Sequence, residues 1–80
     1  IQDNAEPLLG LASCLRMKDI ELAIQLAKKA LTKNPNYVNY HYRKEQLWGE
    51  KLQTSTEILL QNDQLETDVI LAKSKINASS

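Results

Sequence analysis

The chain is predicted to be all-α, and three observations carry that prediction. Leucine, alanine, lysine, glutamine and glutamate dominate, with two glycines, two prolines and no phenylalanine. This is a helix-forming composition. Ala23, Ala27 and Ala30 fall on one helical stripe with Ile20, Ile24 and Leu31, because side chains three and four apart share a face. Finally, Lys18-Asp19, Asn34-Pro35-Asn36 and Asn62-Asp63 punctuate the chain at helix-length intervals.

The first helix is expected from about Ala5 to Met17, with Asn4 as its N-cap. Pro7 sits in the first turn, where a missing N–H costs nothing. Leu8, Leu11, Ala12 and Leu15 form an apolar stripe at i, i+3, i+4 and i+7. Gly10 lies inside this helix at a cost of about 1 kcal/mol against alanine, and close contact with another helix is the expected compensation. Asp19 caps the second helix, expected from about Ile20 to Lys33. Lys28, Lys29 and Lys33 lie toward its C-terminus, where positive charge suits the dipole. Pro35 stops it, since the residue before proline is driven out of helical geometry. Asn36 can cap the next element.

Residues 37–61 are less regular. Tyr37, Tyr40, Leu47, Leu52, Ile58 and Leu59 share a helical face, while Tyr42 and Trp48 lie off it. Gly49 marks either a turn between two shorter helices or a thin place in one long helix. No Pro, Asn or Asp stands beside it, which favours the long helix. Asp63 and Glu66 have capping-box spacing. Leu65, Val69, Ala72 and Ile76 then define a last helix to about Asn77, with 78–80 as a frayed tail. The expected core is Leu8, Leu11, Leu15, Ile20, Ala23, Ile24, Ala27 and Leu31, joined by Leu47, Leu52, Leu59, Leu65, Val69 and Ile76.

Eighty residues make a single domain at most, with a core of marginal size. The chain begins at Ile1, so it is expected to be part of a longer protein. Ten acidic and ten basic residues cancel, so nothing in the net charge predicts nucleic acid or a membrane surface as a partner, and neither is expected. No apolar run approaches the ~20 residues of a membrane span. Cys14 is the only cysteine. No internal disulfide is possible, which suits a reducing, cytoplasmic setting. Its neighbours Leu11, Ala12 and Leu15 predict a buried, hydrophobic role for it. Asn77-Ala78-Ser79 matches a glycosylation sequon, read here as chance.

All four aromatics lie between 37 and 48 (Tyr37, Tyr40, Tyr42 and Trp48), interleaved with His41, Arg43 and Lys44. Structurally, the rings pack on the second helix and the polar groups face water. Functionally, the segment is a candidate surface for a protein or peptide; stacking of single-stranded nucleic acid is a third account, disfavoured by the few bases and zero net charge. The candidate partner-binding residues are therefore Tyr37, Tyr40, His41, Arg43, Lys44 and Trp48. His41 has no cysteine or carboxylate at metal-ligand spacing. No catalytic, cofactor or metal residues are assigned. Charge is segregated along the chain: Leu22–Lys44 holds five bases and no acid, and Leu52–Ala72 holds four acids and no base. Solvation, attraction within the fold and steering of a charged partner all fit.

The segment from Asp19 to Pro35 resembles the second half of a tetratricopeptide (TPR) repeat. Ala23, Ala27, Ala30 and Pro35 fall at that family's small-residue and closing positions. The resemblance covers about residues 5–36, with 5–17 standing in the place of the repeat's first helix. That half departs from the pattern: Pro7 falls at the large aromatic position and Cys14 at the tyrosine position. Leu9-Gly10 matches the family's Leu-Gly pair only with one residue missing from the turn. Carrying the period of about 34 residues forward puts Glu57, Gln61 and Gln64 at small-residue positions, so 37–77 is expected to be a helical capping segment, not a second repeat. Tyr42–Leu52 is similar to the closing segment of some cyanobacterial TPR proteins. The resemblance implies a non-catalytic scaffold that binds a protein or peptide. The alternative is a structural role in self-association, as a homo-oligomer, or in capping a solenoid. An enzyme would need a pocket of convergent polar groups, and no such set is recognisable.

Overall fold

The computed structural model describes residues 5–46 and 48–79. The fold is all-α. Helix α1 spans Ala5–Leu15, α2 Ile20–Lys33, α3 Tyr40–Glu45, α4 Glu50–Leu60 and α5 Glu66–Ser79. Short 3-10 turns at Pro35–Val38 and Asp63–Leu65 precede α3 and α5. The expected N-cap Asn4 and the core candidate Leu47 lie outside the described residues.

The α1–α2 hairpin forms as its sequence predicts. Leu15 ends α1 two residues earlier than expected, and its carbonyl accepts from the N–H groups of Lys18 (2.9 Å) and Asp19 (2.8 Å). The Asp19 carboxylate accepts from the Leu22 N–H at 3.2 Å and opens α2, satisfying one of the donors left unpaired at a helix start. Ala23, Ala27 and Ala30 are buried along one face with Ile24 and Leu31. Leu9 and Ala12 of α1 belong to the same core cluster. Small side chains on α2 allow the two backbones to approach.

Helix α1 is turned from its expected orientation. Its buried positions are Leu9, Ala12 and Ser13, a stripe displaced by about one residue, or roughly 100° on the helix. Leu8 and Leu15 are therefore only half-buried, and Leu11 is 51% exposed. Cys14, expected inside, is exposed. The helix packs against α2 and α4 together, which turns Leu9 and Ala12 into the main core and brings Ser13 to α4. Ser13 Oγ lies 2.7 Å from Thr56 Oγ1 and donates to the Leu9 carbonyl at 3.0 Å, so the buried hydroxyl is satisfied there. Ile20 is also exposed: it is on the buried side of α2 but at its first residue, beyond the last residue of α1. Gly10 is not at a close contact. A β-carbon built there meets nothing within 4 Å.

The expected long helix over 37–61 is instead a 3-10 turn and two helices. Asn34 closes α2 by donating its backbone N–H to the Ala30 carbonyl (2.9 Å), and its side chain accepts from Asn36 N–H at 3.1 Å. Asn39 caps α3 by accepting from His41 N–H (2.7 Å) and Tyr42 N–H (3.4 Å). Asn34 and Asn39 thus take the role expected of Asn36. Gly49 stands at the N-cap of α4 with no side-chain bond. Asn62, not Asp63, caps the next turn, accepting from Gln64 N–H at 2.9 Å. Helix α5 continues through Ser79 where a frayed tail was expected.

The main core joins Leu9, Ala12, Ala23, Ile24, Ala27, Ala30, Tyr37, Leu59 and Leu65. Leu31, Val38 and Ala72 form a second cluster, and half-buried Leu60 and Val69 pack against both. Leu52 and Ile76 are half-buried at the margin.

The rotation of α1 can be tested by stability. Leu9→Ala should cost about 2–5 kcal/mol, whereas Leu11→Ala should stay within about 0.5 kcal/mol; urea titration of both variants compares them, and equal costs would contradict the orientation described. Gly10→Ala fills open space in a helix and should stabilise by about 0.5–1 kcal/mol, a rise of several degrees in Tm for a domain of this size, read by thermal unfolding.

Candidate functional site

At the centre of the expected binding segment is one buried side chain, Arg43. It projects from α3, a helix of six residues, and is 0% exposed. Nε donates to Gln53 Oε1 at 2.8 Å, and Nη1 donates to the Tyr37 carbonyl at 2.7 Å. Nη2 donates to Glu57 Oε2, forming an ion pair at the edge of the fold. Gln53 Nε2 in turn donates to the Tyr40 carbonyl at 3.2 Å. Gln53 and Glu57 are four apart on α4 and so share a face. One guanidinium fork thereby ties the Pro35–Val38 turn and α3 to α4.

Burial pushes the Arg43 guanidinium down from its ordinary value, and the Glu57 charge and hydrogen bond push it back up. An arginine keeps its proton through any accessible pH, so this is a permanent buried cation. Such a charge is tolerated only when its donors are met.

The aromatics stack on the same frame. Tyr37 is buried, and its ring meets Tyr42 edge-on at 4.9 Å and Trp48 at 5.9 Å with a 31° tilt. Asn34 Nδ2 donates to Tyr42 Oη at 3.3 Å. Tyr40 and Trp48 are half-buried, and His41 and Lys44 are exposed. The Tyr40 and His41 rings lie edge-to-face at 5.7 Å. Of the six candidates, Tyr37 and Arg43 therefore serve the interior. Tyr40, His41, Lys44 and Trp48 reach the surface.

Gln53, Glu57, Ser13 and Thr56 carry the internal polar bonds. Of these, Gln53, Ser13 and Thr56 were not singled out in the sequence, and Glu57 was visible there only as one of the acids of the 52–72 stretch. The available signal was charge: the segregated basic and acidic stretches meet through Arg43–Glu57 and through Lys28–Asp68 at 3.9 Å. The second pair is half-open to solvent and contributes little.

A second surface lies at the other end of α4. Leu60, Gln61, Asn62, Asp63, Glu66, Val69 and Ile70 line a groove of about 280 Å³. Among the described residues, no group of three or more His, Cys, Asp or Glu could hold a metal, and no helix is long and apolar enough to cross a membrane.

No family model, curated protein or solved structure matches this chain. Its geometry alone bears on its chemistry. Each nitrogen of the central cation donates to an internal acceptor and the side chain is fully buried, which withholds it from phosphate or carboxylate ligands.

Replacing Arg43 by alanine empties the space of a fully buried side chain and leaves buried Gln53 and the Tyr37 carbonyl without their donor, and should cost about 3–5 kcal/mol. Glu57→Gln keeps an acceptor and should cost less, about 1–3 kcal/mol. Denaturant unfolding of both variants checks the order; a larger loss for Glu57→Gln would contradict the network.

Proposed function

We propose that this chain is a non-catalytic protein–protein interaction module built on a TPR-like helix hairpin. One observation supports this reading above others. Large apolar side chains are left facing solvent: Leu11, Met17, Ile20 and Leu22 on the α1–α2 hairpin, and Ile58, Ile70 and Leu71 on α4 and α5. Met17 is 81% exposed and Ile70 61%. Single exposed leucines are ordinary, but seven large apolar side chains left open among the described residues of so small a chain, two of them adjacent on α5, suit a partner that covers some of them. The TPR-like reading rests on the alanine seam of the hairpin. The partner is a protein or peptide, and neither nucleic acid nor membrane suits the balanced charge. A reducing compartment such as the cytoplasm suits the lone, exposed Cys14.

A structural reading stands second. Ile70 and Leu71 face outward on α5, where another helix of a stack or a second copy would be seated. Sedimentation separates the two readings: a mass independent of concentration favours the module, and dimerisation favours the structural role.

Selection from a random peptide display library on the folded chain tests the module directly. It should yield a convergent peptide family. Either Met17→Lys with Leu22→Lys, or Ile70→Lys with Leu71→Lys, should weaken that peptide at least about tenfold while circular dichroism keeps its helical signal. No convergent family, or full binding by both double variants, would overturn the proposal.

A further inference from the structure

The groove between α4 and α5 has a chemical bias. Its sides are Leu60 and Val69, both half-buried, and its lip is the exposed Ile70. Asp63 and Glu66 line it as exposed carboxylates, with neutral Gln61 and Asn62 completing the wall. No cation lines it. Lys73 belongs to the adjoining groove on the far side of Leu60 and Val69, which also includes Glu57.

The acids of the Leu52–Ala72 stretch divide by use. Glu57 is taken by Arg43, and Asp68 by Lys28. Among the described residues, Asp63 and Glu66 form no ion pair, and both are in the groove. Glu66 lies in the first turn of α5, where it suits that helix's dipole. That role leaves its carboxylate facing solvent and able to meet a cation. The C-terminal end of α4 points the same way: its last turn holds no basic residue, so the negative end of its dipole is uncompensated beside the groove.

We propose that this groove seats an amphipathic helical segment of a partner protein, with aliphatic side chains one turn apart and lysine or arginine beside them. The inference rests on the interaction-module reading and names the chemistry of the partner. The aliphatic side chains cover Leu60, Val69 and Ile70, as in helix-in-groove recognition. The basic side chains meet Asp63, Glu66 and the end of α4. Charge complementarity sets the choice among partners and the apolar floor supplies affinity.

The test uses the whole chain with two labelled synthetic probes of equal helicity, a leucine/lysine amphipathic peptide and its leucine/glutamate counterpart. Fluorescence anisotropy should show binding of the lysine peptide only. Amide shifts in the chain's NMR spectrum should cluster at residues 60–70. Ile70→Ser, and separately Asp63→Asn with Glu66→Gln, should each weaken binding at least about tenfold. Raising salt from about 0.05 to about 0.5 M should weaken it as well. These positions are exposed, so circular dichroism should be unchanged.

Equal binding of the glutamate peptide, unchanged affinity in the variants, or shifts confined to the α1–α2 hairpin would overturn the proposal. So would concentration-dependent dimerisation abolished by Ile70→Ser, which would make a second copy the occupant. A display-selected peptide that maps to the hairpin would sink this inference and leave the module reading intact; failure of both the display selection and the lysine probe would sink both.

Discussion

A guanidinium with no access to water organises the second half of this molecule. Arg43 sits on a helix too short to be stable alone, and its burial is tolerable only if its donors find acceptors. The three acceptors come from two places in the chain: the Tyr37 carbonyl before α3, and Gln53 and Glu57 on α4. Bringing them together requires the chain to turn between α3 and α4. A helix running unbroken through that region would keep Gln53 and Glu57, ten and fourteen residues further along, far from Arg43 at about 1.5 Å of rise per residue. The break and the buried cation are one constraint seen from two sides. The Tyr37 ring, held against Tyr42 and Trp48, closes the same turn with apolar area.

What could be read from the sequence divides along that line. The α1–α2 hairpin was legible because its determinants are local: alanines on one stripe, Asp19 at a helix start, Pro35 after a helix end. The rotation of α1 was not, because it depends on Ser13 meeting Thr56, forty-three residues away. A leucine stripe and a stripe through Leu9, Ala12 and Ser13 compete on the same helix, and packing against α2 and α4 together, which brings Ser13 to Thr56, chooses between them. Exposure of Cys14 and Leu11 results from the same choice. The break before α4 escaped local reasoning too, since Gly49 alone does not require it.

The candidate site was legible in part. Clustering of tyrosines, tryptophan and bases in one segment did mark a place where the chain does something unusual. Tyr37 and Arg43 spend that chemistry inside the fold, and Tyr40, His41, Lys44 and Trp48 keep some of it at the surface. Charge segregation was visible as a pattern with several meanings. The geometry assigns two of its pairs to attraction within the fold, Arg43–Glu57 and Lys28–Asp68. Only a three-dimensional account of which acids are taken distinguishes them from Asp63 and Glu66.

Helix α5 carries the remaining tension. A helix covered on one side needs one apolar stripe, and Leu65, Val69, Ala72 and Ile76 supply it. Ile70 and Leu71 come directly after Val69 and so lie about 100° and 200° around the helix from it. No single neighbouring helix can cover all three. In a small domain, where the core is already limited by surface-to-volume ratio, exposing two large aliphatics at 61% and 54% forgoes stabilisation that inward placement would have supplied. Lysine or glutamate at either position would form the helix as well and improve solubility. Helix propensity and folding therefore do not explain Ile70 and Leu71. Contact with a second body, as proposed above, would, and the acid-rimmed groove beneath Ile70 would give such a contact a preferred charge.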